Sequence, residues 1–246
     1  MLEQALLEIG ALRSCDLNVF RIVETQEIAA TAGLVDDSNE QYLLEQLLDH
    51  VKPPYRQHTE KLHYLISTPF RYPPLKYGSR FGDITMPSYF YASEQIATAL
   101  AESAFYRFVF LHDMSVPYNK TLKSGHMTFS VKIQSSGMAD LTQVKSKGIA
   151  TLLKSPSDYL LTQQLGKILT QEKAAQVIKF YSARDKSGIN FAVAEPKAIK
   201  STTPENSINW ICHSALDKIS FISKGCLPIS FEINDFRVNG ELPSFV

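Results

Sequence analysis

An arginine, a tyrosine and a glutamate follow one another at equal intervals in YGSRFGDITMPSYFYASEQIATALAESAFYRF, residues 77–108. Tyr91 follows Arg80 by eleven positions, and Glu102 follows Tyr91 by eleven positions. A guanidinium binds anions, a phenol stacks on or hydrogen-bonds a ligand, and a carboxylate stabilises positive charge that develops during a reaction. Together these groups would suit a ligand that has both anionic and cationic parts.

Glu102 lies in a predicted helix that has few charged residues. We expect this helix to begin at Ser93 as N-cap, with Glu94 favoured by the helix dipole, and to end near Leu111. At 100° per residue, Arg107 points well away from Glu102, so the glutamate lacks an ion partner within its own helix. The helix is therefore predicted to be largely buried and to carry one isolated carboxylate.

Two explanations of this carboxylate remain open. In the first, Glu102 pairs with a basic residue from another segment, such as Arg71 or Arg80, only to neutralise a buried charge. In the second, Glu102 faces a cleft, and the arginines of a proline-rich loop lie on the opposite wall. The second explanation is functional and the first is purely structural.

The composition is that of a globular protein without a broad charged surface. The 246 residues are 44% hydrophobic and 20% charged, which suffices for the core of one large domain. Lys and Arg total 25, as do Asp and Glu, which argues against direct binding to nucleic acid or anionic lipid. The first residues lack the basic start of a secretory signal, and no apolar run approaches the roughly 20 residues of a membrane helix. We therefore expect a cytoplasmic protein.

Cysteines and histidines indicate neither disulfides nor a metal site. Cys15, Cys212 and Cys226 are odd in number and lack paired spacing, so all three are predicted to be buried thiols. The six histidines show no metal-ligand spacing. No metal and no bound cofactor is predicted.

Three further helices are predicted from apolar periodicity and N-cap residues. They cover LEQALLEIGALR, DSNEQYLLEQLLDHV and SPSDYLLTQQLGKILT. We expect Asp37 or Ser38 to cap the second, and Ser155 or Ser157 to cap the third. From residue 52 to residue 87, prolines and aromatic residues predict instead an ordered irregular segment of the kind that often carries function.

Strands are predicted where β-branched and aromatic residues alternate with other residues. They cover DLNVFRIVET, HMTFSVKIQ, two segments of AAQVIKFYSARDKSGINFAVAEP, DKISFIS and PISFEIND. Strands dominate the second half without regular βαβ alternation, so we predict an α+β fold with mixed, mostly antiparallel sheets and flanking helices. No flexible linker divides the chain, and residues 1–246 are expected to form a single domain.

Three motifs, taken in order, resemble the RES domain, a family named for an arginine, a glutamate and a serine. They are GSRFG, YFYASEQIATALAE and IKFYSARDKSGINFAV. The matching positions are Arg80, Tyr91, Glu102 and Ser182. The resemblance covers about residues 70–235, and the helical and proline-rich extension before it is similar to that of a longer subgroup of the family.

The resemblance implies an ADP-ribosyltransferase-like fold and an enzyme that cleaves the bond between nicotinamide and ribose in NAD+. Cleavage would proceed by phosphorolysis or hydrolysis, so NAD+ would be a substrate and inorganic phosphate a co-substrate. Family members include toxins that pair with Xre-type antitoxins. An antitoxin is therefore the implied protein partner, and a homo-oligomer remains open.

The resemblance also implies a role for each catalytic position. Glu102 would stabilise the positive charge that forms on the ribose when nicotinamide leaves. Arg80 would bind the pyrophosphate or an attacking phosphate, because its planar fork donates parallel hydrogen bonds. Ser182 would hydrogen-bond a phosphate or a ribose hydroxyl.

Four more residues are candidates for substrate binding. Tyr91 would stack on nicotinamide or hydrogen-bond the ribose, with Phe81 supplying apolar surface beside it. Arg21 and Arg71 are further candidates for the phosphate groups. We expect Arg80, Tyr91, Glu102 and Ser182 to line one cleft, with Glu102 near its floor and residues 70–86 on its rim.

Two other classes of function stay open from the sequence. An ADP-ribosyltransferase would deliver the same ribosyl cation to a macromolecule, and a non-catalytic module would use the cleft only for protein binding. The usual motifs of Rossmann oxidoreductases, P-loop NTPases, zinc proteases and α/β-hydrolases are absent from the sequence.

Overall fold

Eight strands form one sheet in the computed structural model, which describes residues 1–25, 34–116, 118 and 120–244. In chain order the strands are β1 (Arg13–Glu24), β2 (Phe90–Ser93), β3 (Leu122–Asp140), β4 (Val177–Tyr181), β5 (Ile189–Val193), β6 (Glu205–Ser214), β7 (Lys218–Ile222) and β8 (Ile229–Glu232). Their order in the sheet is β1-β2-β5-β4-β3-β6-β7-β8. The β3–β4 pair is parallel and the other pairs are antiparallel, which confirms the predicted α+β class.

The long strand β3 closes part of the sheet into a ring. Along its 19 residues it pairs with β1 and β6, and its last residues, Met138 to Asp140, pair with β4. Because β1 pairs with both β2 and β3, strands β1, β2, β5, β4 and β3 form a closed ring. Closure leaves these strands few unpaired edges, and it fixes β4 and β5 relative to β2.

Six α-helices lie around the sheet in the described part of the chain. They are α1 (Leu2–Ile9), α2 (Ser38–Val51), α3 (Tyr64–Arg71), α4 (Ile96–His112), α5 (Lys147–Leu153) and α6 (Leu160–Lys167). A π-helical turn, Ile168–Glu172, continues α6. None of the helices described is long and apolar enough to cross a membrane.

Helix α4 is held against the sheet by large apolar side chains. Leu100, Phe105 and Phe108 are fully buried and pack with Trp210 of β6 and Phe221 of β7. Each such side chain contributes about 1.5–3 kcal/mol by leaving water. This packing fixes the position of α4 and therefore of the glutamate that it carries.

Helix caps follow the sequence prediction in one case of three. Asp37 caps α2, since its carboxylate accepts from the backbone N–H groups of Asn39 and Glu40. Ser93 is not a cap, because it is the last residue of β2, it is buried, and α4 begins only after Gln95. Tyr159 precedes α6, so the prediction of a serine cap there was wrong as well.

Other differences concern strands and thiols. Strand β6 was not predicted, although Trp210, Cys212 and Ser214 alternate as its buried residues. Helices α3 and α5 were also not predicted, and the segment from 52 to 87 is otherwise irregular as expected. Cys15 and Cys212 are buried, but Cys226 is exposed, because it lies in the turn between β7 and β8.

Candidate active site

Strand alternation brings the candidate residues of β2, β4 and β5 to one face of the sheet. Ser93 pairs with Asn190, and Asn190 pairs with Phe180. Because residues two apart in a strand point to the same face, Tyr91 shares this face with Ser93. Ser182 follows Phe180 by two positions, directly after β4. The face therefore carries side chains from three strands toward α4.

The carboxylate of Glu102 is oriented by two neutral donors. The hydroxyl of Ser182 and the side-chain amide of Asn190 each donate to Oε1 over 2.6 Å. The hydroxyl of Ser93 donates to Oδ1 of Asn190 over 2.7 Å, which fixes the orientation of that amide. Among the described residues, Oε2 of Glu102 accepts no hydrogen bond. One oxygen is thus fixed by two donors, and the other has no hydrogen-bond partner among the described residues.

The turn after β4 is fastened to the same helix. The Oγ atom of Ser182 accepts from the backbone N–H groups of Arg184 and Asp185 over 3.0 Å each. The hydroxyl of Thr98 in α4 donates to the carboxylate of Asp185 over 2.7 Å. A Cβ atom at Gly188 would lie 2.5 Å from the Thr98 methyl group, so this close approach requires glycine. The turn cannot shift without losing contacts to α4.

Arg80 is anchored on backbone carbonyls. Its Nη1 donates to the carbonyl of Leu153 over 3.2 Å, and its Nη2 donates to that of Ser155 over 3.0 Å. The guanidinium lies 4.5 Å from the ring centre of Tyr159 and 5.9 Å from that of Phe180. Carbonyls and rings orient the charge without neutralising it. The guanidinium of Arg80 is therefore held in a fixed orientation without an ion-pair partner among the described residues.

Tyr91 positions the loop that carries Arg80. Its hydroxyl donates to Oγ of Ser79 over 2.9 Å and accepts from the backbone N–H of Phe81 over 3.2 Å. Burial raises the pKa of the Tyr91 phenol, so it stays protonated and keeps its donor. The side chain of Gln163 donates to the carbonyls of Tyr77 and Ser79 from the other side. The loop is held from two directions.

A glycine of α6 allows this loop to pack closely. A Cβ atom at Gly166 would overlap the backbone carbonyl of Phe81. Gly166 is buried, so the helix surface meets the loop backbone directly. The position of Arg80 therefore depends on residue 166 being a glycine, which has no side chain to displace the loop.

Arg184 and Asn190 belong to the site although sequence reasoning did not select them. Nη2 of Arg184 donates to the carbonyl of Pro156 over 2.5 Å, and its guanidinium lies 3.4 Å from the ring centre of Phe105. Burial lowers the pKa of Arg184, and the charge of Glu102 opposes that change. Both residues lie in the motif IKFYSARDKSGINFAV, close to Ser182, and this was the signal available in the sequence.

The ion-pair explanation of Glu102 is wrong for the described residues. Arg71 pairs instead with Asp49 of α2 over 3.6 Å and lies 4.2 Å from the ring centre of Tyr55. Its Nε donates to the carbonyl of Pro53. Arg80 bonds only to carbonyls, as described above. Arg71 therefore serves the proline-rich segment, and no contact joins it to the carboxylate in the described chain.

Phe81 and Arg21 are placed differently from the prediction. Phe81 is fully buried with its ring 4.8 Å from that of Phe180, so it cannot offer a stacking surface to a ligand. Arg21 donates to the backbone carbonyl of Tyr91 over 2.7 Å and lies 5.1 Å from the ring centre of Phe90. Burial lowers the pKa of Arg21 to about 10. In this position Arg21 supports the backbone of β2.

The four predicted residues lie in two groups, one at Glu102 and one beside Phe180, and their common cleft stays a prediction. Glu102 contacts Ser182 directly, and Arg80 and Tyr91 both lie beside the ring of Phe180. Two cavities of about 540 and 310 Å³ lie elsewhere on the described surface, and none of the four lines either one. Tyr91 and Ser182 therefore lie on one sheet face, with Glu102 reaching it from α4 and Arg80 on the adjacent loop.

Comparison with known proteins identifies the family. The model of the RES domain matches residues 53–213, which include Arg80, Tyr91, Glu102 and Ser182. A search of curated proteins finds no significant match. The chain is also similar to a chain in the crystal structure of the M. tuberculosis MbcT-MbcA toxin-antitoxin complex, at 10% identity and a TM-score of 0.49, over 85% of this chain and 93% of that one. Since the family model spans more than half of the sequence, the protein belongs to the RES-domain family.

Proposed function

We propose that the protein is an NAD+-degrading enzyme that cleaves the bond between nicotinamide and ribose, with Glu102 as the catalytic carboxylate. The observation that carries this proposal is the bonding of Glu102, whose Oε1 accepts from Ser182 and Asn190 while its charge stays unpaired by any described cation. The sequence resemblance to NAD+-cleaving family members supports the same conclusion.

The bonding of Glu102 suits stabilisation of a cation. When the glycosidic bond breaks, its electron pair goes to the nicotinamide nitrogen, and positive charge develops on the ribose. A carboxylate stabilises that charge best when it is held in place and its own charge is not cancelled by a neighbouring arginine or lysine. Neutral donors from Ser182 and Asn190 hold the carboxylate in place, and none of the described cations lies within ion-pair distance of it.

The nucleophile then completes the reaction at the same ribose carbon. Attack by inorganic phosphate gives ADP-ribose-1″-phosphate, whereas attack by water gives ADP-ribose and releases a proton. Arg80 would bind phosphate oxygens with the guanidinium that the loop holds beside Phe180. Both routes use the same carboxylate and differ only in the nucleophile.

The test is to incubate purified protein with NAD+, with and without phosphate, and to identify the products by mass. Free nicotinamide with the phosphorylated ribose supports phosphorolysis, and nicotinamide with ADP-ribose supports hydrolysis. Nicotinamide release that leaves ADP-ribose attached to a macromolecule would indicate a transferase instead. An absence of nicotinamide release at high enzyme concentration would contradict an NAD+-cleaving enzyme.

The toxin role follows from the same activity. We expect induced expression in a bacterial host to deplete cytoplasmic NAD+ and to arrest growth, with an Xre-type antitoxin as the neutralising partner. Measuring NAD+ content and growth for the wild type and for Glu102→Gln tests this point. Equal growth arrest by both proteins would show that toxicity does not come from NAD+ cleavage.

Replacing Arg80 with lysine is expected to lower kcat/KM for NAD+ about tenfold or more, although the charge is kept. An ammonium group cannot reproduce the planar fork that spans the carbonyls of Leu153 and Ser155. Loss of one such bond costs about 1 kcal/mol of stability, so the protein should stay folded. Steady-state kinetics and thermal unfolding provide the measurement.

The exposed Arg237 offers a matched control, since it lies outside the candidate site and, among the described residues, its side chain bonds only to Asn234. Arg237→Lys should leave the kinetics unchanged. Parent-like kinetics for Arg80→Lys would remove Arg80 from its role as the phosphate ligand.

A further inference from the structure

Arg80 and Arg184 lie far apart in the sequence but are anchored on one short segment. The carbonyls of Leu153 and Ser155 accept from Arg80, and the carbonyl of Pro156 accepts from Arg184. This segment leaves the end of α5 and leads toward α6. Two guanidinium groups are therefore held at neighbouring positions by residues 153–156.

Neither guanidinium forms an ion pair within the described part of the chain. No ion pair involves Arg80 or Arg184 there, and each guanidinium instead lies over an aromatic ring, Tyr159 for Arg80 and Phe105 for Arg184. Rings fix the planes of the two groups but leave their net charge intact. Arg184 is only 9% exposed, and an unpaired charge is costly at such burial.

The two charges also act on each other. Burial is the main cause that lowers the pKa of Arg184, and the charge of Arg80 adds to it. The charge of Glu102 acts in the opposite direction on Arg184, although Glu102 forms no ion pair with either guanidinium among the described residues. An anion between the two guanidinium groups would relieve their repulsion.

We propose that Arg80 and Arg184 together bind a phosphoryl dianion beside Glu102, with Arg184 as the second arginine ligand. A guanidinium has five N–H donors, and the anchoring carbonyls take two from Arg80 and one from Arg184. The remaining donors suit oxygens that carry more than one negative charge, as in a diphosphate or inorganic phosphate. A single carboxylate would neutralise only one of the two cations.

This proposal rests on the proposed function for the identity of the ligand, and two sources share its chemistry. The dianion is either the diphosphate of NAD+ or the inorganic phosphate that attacks the ribose. Binding of ADP reports on the first source, and binding of inorganic phosphate reports on the second. Neither measurement requires turnover.

The experiment compares the wild type with Arg184→Gln by calorimetric titration of ADP and of inorganic phosphate. We expect the Kd of one of these ligands to rise at least tenfold in the variant. The ligand whose Kd rises shows whether the bound dianion is the diphosphate of NAD+ or inorganic phosphate. Adenosine, which has no phosphate, should show the same affinity for both proteins. Unchanged affinity for both ADP and phosphate would overturn the proposal.

Two further variants show whether a loss of ligand affinity in Arg184→Gln comes from the missing charge or from the missing guanidinium. Lys186→Gln removes an exposed positive charge from the same turn and should keep the affinity of the wild type. Arg184→Lys keeps the charge without the fork, should bind weakly, and replaces the glutamine variant if that protein does not fold. Wild-type affinity for Arg184→Lys would exclude a specific guanidinium contact.

The outcomes also distinguish this proposal from the proposed function. If the wild type does not cleave NAD+ but its ADP or phosphate affinity depends on Arg184, the result supports the anion site and contradicts the proposed activity. If NAD+ is cleaved and Arg184→Gln changes neither the affinity for ADP and phosphate nor the KM for NAD+, the result supports the proposed activity and contradicts the anion site.

Discussion

Glu102→Gln is expected to lower NAD+ cleavage by about a hundredfold or more while the protein keeps its fold. The glutamine carbonyl can still accept from Ser182 and Asn190, because both bonds go to Oε1. The new amide nitrogen occupies the position of Oε2, which accepts no bond from the described residues. The substitution therefore removes the charge and leaves the contacts. Each tenfold loss in rate corresponds to about 1.4 kcal/mol of transition-state stabilisation.

Steady-state release of nicotinamide measures this effect, and thermal unfolding measures the fold. Glu94→Gln is the matched control, since Glu94 is exposed and lies just before the same helix. It should cleave NAD+ at the rate of the wild type. A folded Glu102→Gln protein with near-normal turnover would show that the carboxylate does not act on the ribose.

Gly166→Ala is expected to cost stability and activity together. The added methyl group would overlap the carbonyl of Phe81, and a backbone atom cannot rotate away as a flexible side chain can. Overpacking of this kind destabilises by about 1–3 kcal/mol, and by more where the surroundings cannot relax. Because Phe81 follows Arg80 directly, the same displacement should move the guanidinium and lower kcat/KM for NAD+.

A second helical glycine in α5 provides the comparison. A Cβ atom at Gly148 would meet no atom within 4 Å, so Gly148→Ala should be neutral or stabilising by up to about 1 kcal/mol. Thermal unfolding of the two alanine variants and their NAD+ kinetics form one experiment. Equal stability and activity for both would show that the loop accommodates a side chain at Gly166.

The sequence placed Glu102 and Ser182 in one site but assigned the Ser182 hydroxyl to a ligand, whereas in the structure it donates to Glu102. The ordered motifs placed both residues in one site, and the structure joins them by a hydrogen bond. Asn190 was not selected because its role depends on the register of β4 with β5, which places it opposite Phe180. Register depends on the hydrophobic patterns of both strands and on the turn that joins them, so the spacing of residues along one strand does not reveal the partner of Asn190.

The misassignment of Ser93 has a related cause. Serine is a good N-cap, and a helix does follow, but a buried serine at a strand end can donate to a neighbouring strand as well. The local sequence does not distinguish a serine that caps a helix from a serine that donates to a neighbouring strand. Arg184 was passed over for the same reason, since its stacking on Phe105 depends on how α4 lies across the sheet.

The hydrogen bonds to Glu102 also determine when activity can arise during synthesis. The two donors, Ser182 and Asn190, follow Glu102 in the chain by 80 and 88 positions. A nascent chain that has emerged only as far as the end of β3 has α4 but neither donor, and β3 still lacks its partner β4. Since chains leave the ribosome in order from the N-terminus, the carboxylate is assembled late. A cell that makes this protein would thus meet a finished site only as translation of the domain nears its end.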